Sequence, residues 1–209
     1  MSSGKKGTRQ EQAVETKQAL ILAAVKLFAE KGYEATGVRE ICRSIGLADG
    51  LLYHYFPKGK TELLQEIVIV NSKLILSDLK NYLIAIENLP LEELFMSYYY
   101  HSVDIYKEHK DALRIIFREI PAFKMEERLQ ILGEIDSQEK EWLPELLEKR
   151  AKAGEISEID YKSAAASITP MLLGNFLRML MGFECFDKDE KSEEFFRRII
   201  KFHINLWKK

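Results

Sequence analysis

The sequence predicts an all-α protein of about nine helices. Apolar residues recur at helical spacing along nearly the whole chain, and only 5 of 209 residues are proline. Val38, Ile41, Cys42 and Ile45 fall at i, i+3, i+4 and i+7, the apolar face of a short helix. Leu52, Tyr55 and Phe56 mark a second short helix a few residues on. Gly46 stands at the corner between them, where a chain leaving a helix adopts the left-handed conformation that glycine tolerates. Two helices so joined form a helix-turn-helix.

The totals narrow the function classes. A composition of 46% hydrophobic and 31% charged residues is that of a globular protein with a sizeable core. No uncharged apolar run of about 18 residues occurs, so no membrane span is expected. The N-terminus lacks an apolar secretory core. Cys42 and Cys185 make neither a disulfide framework nor a zinc spacing. A reducing, cytoplasmic location is the expectation. Residues 1–64 hold ten Lys/Arg against seven Asp/Glu, a balance of +3; the rest holds 21 against 26, a balance of −5. The basic end coincides with the helix-turn-helix, which points to nucleic acid.

Taken in order, residues 1–10 read as a polar tail able to add phosphate contacts through Lys5, Lys6 and Arg9. A first helix is expected from about Thr16, an N-cap, to Lys31, ended by Gly32. Thr36 is placed to cap the second helix or to bond a phosphate. Arg39, just inside that helix, can reach the DNA backbone or a base edge. Cys42 is a small core residue. On the next helix Asp49, Gly50, Tyr53 and His54 share the face opposite the apolar stripe. Hydrogen-bonding groups beside a glycine suit insertion into the major groove. Asp49 favours the helix dipole and could accept from a cytosine amino group. Lys60 lies at the start of the fourth helix, where free N–H groups and an ammonium can clamp one phosphate.

The stretch from Leu20 to about Leu64 resembles the DNA-binding domain of the tetracycline-repressor (TetR) family. The resemblance is carried by Ala23-Ala24-x-x-Leu27-Phe28-Ala29-Glu30-Lys31-Gly32-Tyr33, by Thr36-x-Val38-Arg39-Glu40-Ile41, by Gly46 through Phe56, and by Gly59-Lys60-Thr61-Glu62-Leu63-Leu64. It implies that Lys17 meets a phosphate and that Tyr53 and His54 touch DNA. Ala48-Asp49-Gly50-Leu51 stands where the family often has Ser, a basic residue, Gly and Thr, which implies an unusual operator. The resemblance also implies a division into a DNA-binding domain, 1–64, and a helical ligand-binding and dimerisation domain, 65–209.

In the second half, helices are expected from Leu63 to about Glu87, Leu91 to about Glu108, Asp111 to Ile120, Met125 to Ala153 with a kink at Pro144, Asp160 to Phe183 with a kink at Pro170, and Glu190 to Trp207. The last carries an apolar stripe, Phe195 to Trp207, too wide for one packing partner. Part should face its own subunit and part a second copy. With the small residues of the preceding helix it suits an intersubunit four-helix bundle, where the family dimerises. Ala164, Ile168, Phe196, Ile200, His203 and Trp207 are the expected dimer contacts. The middle helices are rich in aromatics and methionine. Together with the resemblance this suggests an apolar ligand pocket with a few polar groups, lined by Phe95, Tyr98, His101, Phe117, Trp142, Met171, Asn175, Phe176, Arg178 and Met179.

These expectations amount to a homodimeric repressor of double-stranded, palindromic DNA, released by an apolar inducer of fatty-acyl or multidrug-like kind. The alternative is a nucleoid or division factor controlled by a protein partner. No catalytic residues, metal or cofactor are expected: His101, Asp104 and Glu108 share a helical face, but no Glu-x-x-His pair and no phosphate-cradling glycine loop is present.

Overall fold

The computed structural model describes residues 9–136, 142–168 and 190–208, and among these all regular structure is helical. The chain forms two compact units. Met1–Ser72 with Asp111–Glu134 make the first, and Lys73–Lys110 with Ile135–Lys209 the second. The stretch from Asp111 thus packs with the N-terminal helices.

In the first unit α1 runs Arg9–Lys31, α2 Val38–Ser44 and α3 Leu51–Tyr55. Helix α4, Lys60–Ile86, contributes its residues up to Ser72. Helix α6, Lys110–Glu119, contributes all but its first residue; a short 3-10 turn, Ile120–Ala122, and α7, Met125–Asp136, follow it. Helix α1 extends seven residues further toward the N-terminus than Thr16 suggested. Residues 9–15 contain no breaker, and the Thr16 hydroxyl, instead of capping, donates back to the Gln12 carbonyl at 2.7 Å. Leu20, Ala24 and Phe28 of α1, Ile41 and Cys42 of α2, Leu52 of α3, Phe56, and Leu63, Ile67 and Val68 of α4 are buried together with Leu113, Ile115 and Ile116 of α6.

The corners follow from backbone chemistry. Gly46, at φ 72°, ends α2, and Leu47 N–H returns to the Cys42 carbonyl at 2.9 Å while Gly46 N–H returns to Arg43 at 3.1 Å. That double bond pattern satisfies carbonyls a helix end leaves open. Gly32, at φ 93°, ends α1 in the same region of backbone space. The Thr36 hydroxyl donates to the Gly32 carbonyl at 2.7 Å, and an Arg118 guanidinium nitrogen from α6 donates to the Phe28 carbonyl at 2.6 Å. A cation at a helix C-terminus also complements its dipole.

In the second unit the remainder of α4 joins α5, Leu91–Glu108, α8, Trp142–Lys152, the helical residues 161–168 (α9), and α10, Glu190–Trp207. Helices α5 and α10 pack face to face. Tyr99 stacks on Phe196 with ring centroids 3.7 Å apart, and Phe95 meets Trp207 at 5.9 Å. At the edge of that contact, Arg197 donates to Glu92 at 2.8 Å and Lys201 lies 3.5 Å from the same carboxylate. The Arg197 hydrogen bond holds Glu92 below the usual carboxylate range. Arg150 closes the α4–α5 turn: it donates to the carbonyls of Glu87 and Leu89 and, at 2.7 Å, to Glu155, whose other oxygen accepts from Leu91 N–H at the start of α5.

The expected helix from Met125 to Ala153 is described on either side of residues 137–141, as α7 and α8. Residues 137–141 lie outside the described residues, and Pro144 belongs to α8. Pro170 and its expected kink lie outside the described residues.

Candidate nucleic-acid interface

The reader helix α3 is five residues long and is fixed from both sides. Leu52 and Phe56 point into the core at 0% and 1% exposure. The Cys42 thiol, buried on α2, donates to the Asp49 carbonyl at 3.7 Å, and burial raises that thiol above its ordinary range. Cys42 is thus a packing residue, as its place on the apolar stripe suggested. Gly59 stands at φ 69°, and a Cβ there would come within 3.0 Å of the Tyr53 ring. The ring of Tyr53 lies across this glycine, which a side chain would obstruct.

The opposite face is open. Tyr53 is 52% exposed, His54 and Gly50 are exposed, and His54 meets Tyr55 edge-on at 5.0 Å. Arg39 on α2 extends into solvent, and its Nε lies 3.3 Å from a carboxylate oxygen of Asp49. Arg39, Asp49, Gly50, Tyr53 and His54 thus occupy one accessible surface of the helix-turn-helix.

Three residues assigned to DNA from sequence are placed otherwise. Thr36 is corrected: it is 1% exposed, and its hydroxyl is spent on the Gly32 and Leu27 carbonyls. It shapes the α1–α2 turn and neither caps α2, whose N-cap is Gly37, nor reaches solvent. Lys60 is turned inward. Its ammonium donates to the carbonyls of Tyr33 at 2.7 Å and Thr36 at 3.1 Å and lies over the Tyr33 ring at 4.1 Å. It ties α4 to the α1–α2 turn, so a phosphate would compete with two backbone acceptors. Lys17 pairs with Glu66 at 2.5 Å, lies 5.5 Å from the Phe56 ring centroid and is half-exposed. A carboxylate at that distance holds the ammonium against α4.

The residues expected around a ligand are only partly brought together. Phe95 and Tyr98 are buried on α5, and Tyr98 meets Trp142 of α8 at 5.4 Å. His101 stacks on Tyr82 of α4 at 3.8 Å, its Nε2 3.7 Å from Asp78. Phe117 is corrected: it belongs to the first unit and is 39% exposed. Met171, Asn175, Phe176, Arg178 and Met179 lie outside the described residues. Among the described residues no three His, Cys, Asp or Glu side chains could hold a metal together.

Most of the residues expected at a dimer contact are buried within their own chain. Ile168, Phe196, Ile200 and Trp207 are 1%, 1%, 0% and 5% exposed within their own chain, Ala164 is at 9%, and His203 bonds the Ile199 carbonyl. The open face of α10 is its neighbour stripe. Phe195, Phe202 and Leu206 are 38%, 60% and 50% exposed, and half-buried Ile199 completes the spacing i, i+4, i+7, i+11. Two apolar seams run along one helix, one buried against α5 and one open, and together they make the run from Phe195 to Trp207 wide. Hydrophobicity alone could not say which seam faced inward; Tyr99 and Phe95 on α5 decide it.

Comparison with known proteins agrees with this geometry. Residues 20–67 match the model of the family described as bacterial regulatory proteins, tetR family. The HTH-type transcriptional repressor KstR2 of Rhodococcus jostii (strain RHA1) is 30% identical over 169 residues, 78% of this chain and 75% of that protein. The HTH-type regulator YxaF of Bacillus subtilis (strain 168) is 38% identical over 61 residues, and that match spans 32% of its length. The crystal structure of the TetR family regulator PfmR from Thermus thermophilus superposes with a TM-score of 0.64 at 26% identity, covering 89% of this chain and 97% of that one. With an accessible helix-turn-helix reader, a second unit helical among its described residues and a relative matched over most of both lengths, this chain belongs to the tetR family of helix-turn-helix transcriptional regulators.

Proposed function

We propose that the protein is a homodimeric repressor whose operator affinity falls when an apolar small molecule binds its C-terminal half. The observation that carries the reading is the pairing of two exposed surfaces in one chain. One is polar, Arg39, Asp49, Gly50, Tyr53 and His54 on the helix-turn-helix. The other is apolar, Ile199, Phe202 and Leu206 on α10. A five-residue reader contacts too few bases to be selective alone. A two-fold pair reads two half-sites about 34–36 Å apart and gains from both. Repression, rather than activation, is supported by the similarity to KstR2, which is named a repressor. On this reading residues 1–64 bind DNA and 65–209 carry ligand response and pairing.

The aromatic set Phe95, Tyr98 and Trp142 supports an apolar ligand of fatty-acyl or multidrug-like kind, and His101 could supply a polar contact. A ligand that binds better to the weakly DNA-binding state lowers operator affinity by its coupling free energy, about 1–3 kcal/mol. The role is non-enzymatic. The alternative of a nucleoid or division factor finds no support in the relatives, which are named transcriptional regulators. No helix among the described residues is long and apolar enough to cross a membrane.

The test is selection of bound fragments from random duplex DNA, followed by titration of the selected site. The expected result is a palindrome bound by a dimer. Tyr53→Ala and His54→Ala each weaken it by about 1–3 kcal/mol while thermal stability holds. Acyl and hydrophobic drug-like compounds are then scanned for release of the site. A protein that enriches no sequence, or two variants that bind as well as the parent, would overturn the reading.

A further inference from the structure

We infer that Asp49 touches no base itself but orients Arg39 toward guanine, so that one G·C pair in each half-site is read by this arginine–aspartate couple. The inference deepens the proposed DNA-binding role and rests on it. Between Gly46 and Phe56 the sequence contains one acidic residue, Asp49, and no lysine or arginine. A reader of that composition would bring a net negative charge against phosphates. The structure supplies the missing cation from the preceding helix: Arg39 of α2 places Nε 3.3 Å from Asp49 Oδ2.

The geometry sets what each partner has left to offer. The carboxylate takes the Nε edge of the guanidinium. The two terminal nitrogens remain as a fork, and that fork matches the O6 and N7 acceptors of guanine in the major groove. Arg39 is 80% exposed and Asp49 42%, so the fork lies in solvent, and Tyr53 and His54, a few residues after Asp49, are exposed as well. Asp49 is itself anchored, since its carbonyl accepts the buried Cys42 thiol. A carboxylate carried on that anchored backbone and lying beside Nε limits the rotamers of a long side chain, which lowers the ordering cost of each base contact. An exposed pair of this kind adds little to folding stability, so its use lies elsewhere.

The test compares the full-length parent with Asp49→Ala, Arg39→Ala and the double variant. Base preference is read by selection from random duplexes, and affinity for one fixed non-operator duplex is measured at the same salt. The parent is expected to prefer G·C at one position per half-site by roughly tenfold or more. Arg39→Ala abolishes that preference. Asp49→Ala reduces it to about a third while binding to the non-operator duplex rises, because a negative charge near the phosphates is gone. The double variant matches Arg39→Ala in base preference. Melting temperatures stay level, and discrimination and general affinity move in opposite directions, which a structural role would not produce. Retention of the G·C preference in Arg39→Ala, or unchanged preference in Asp49→Ala, overturns the inference while leaving DNA binding intact. A parent that enriches no sequence removes the DNA-binding reading as well.

Discussion

Phe202→Glu is expected to leave each copy folded and to separate the proposed dimer. Phe202 is 60% exposed on the open seam of α10, so its loss removes little from the chain's own core. In a two-fold interface the same substitution acts twice. Each copy forfeits the burial of an aromatic side chain, about 1.5–3 kcal/mol, and gains a carboxylate that apolar neighbours cannot solvate. The dimer dissociation constant is expected to rise by more than about a hundredfold. Operator affinity falls with it, because linked binding of two half-sites is worth on the order of 10² to 10⁴. Sedimentation velocity and operator titration on the same sample check both effects. A variant that still sediments as the parent dimer would place the pairing surface somewhere other than this seam.

Phe196→Ala, one residue away from Phe195, should do the opposite. Phe196 is 1% exposed and stacks on Tyr99, and truncating such a ring leaves a cavity costing about 3–5 kcal/mol. For a chain whose total stability is on the order of 5–15 kcal/mol this is a large fraction. At about 2–4 °C per kcal/mol, the melting temperature drops by roughly 10 °C. Phe195→Ala, on the open seam, should shift melting far less. Thermal unfolding of both variants decides the register of α10. Equal destabilisation would mean that the inner and outer seams have been confused.

The chemistry of punctuation explains which parts of this structure could be read beforehand. Helix α5 begins after Pro90, and its expected bounds, Leu91 to Glu108, match the structure. The α2–α3 corner follows from Gly46 alone. The start of α1 could not be read in this way. The residues from Arg9 onward are helix-compatible, and a threonine is equally able to cap a helix or to bond back within one. Site residues divide similarly. Tyr53 and His54 were placed by helical phase on the side opposite Leu52, and that side is open. Thr36 and Lys60 were assigned by chemical capability, but their partners are backbone carbonyls of a turn, and carbonyls leave no mark in a sequence. The Arg39–Asp49 pair joins two elements across a corner, a distance that helical phase does not measure.

The brevity of the reader helix has a consequence for its persistence. One and a half turns cannot sustain themselves in water, since nucleation outweighs so few hydrogen bonds. Residues 51–55 therefore hold their shape only while Leu52 and Phe56 remain seated, and their backbone amides should surrender to solvent exchange together with the N-terminal core rather than before it.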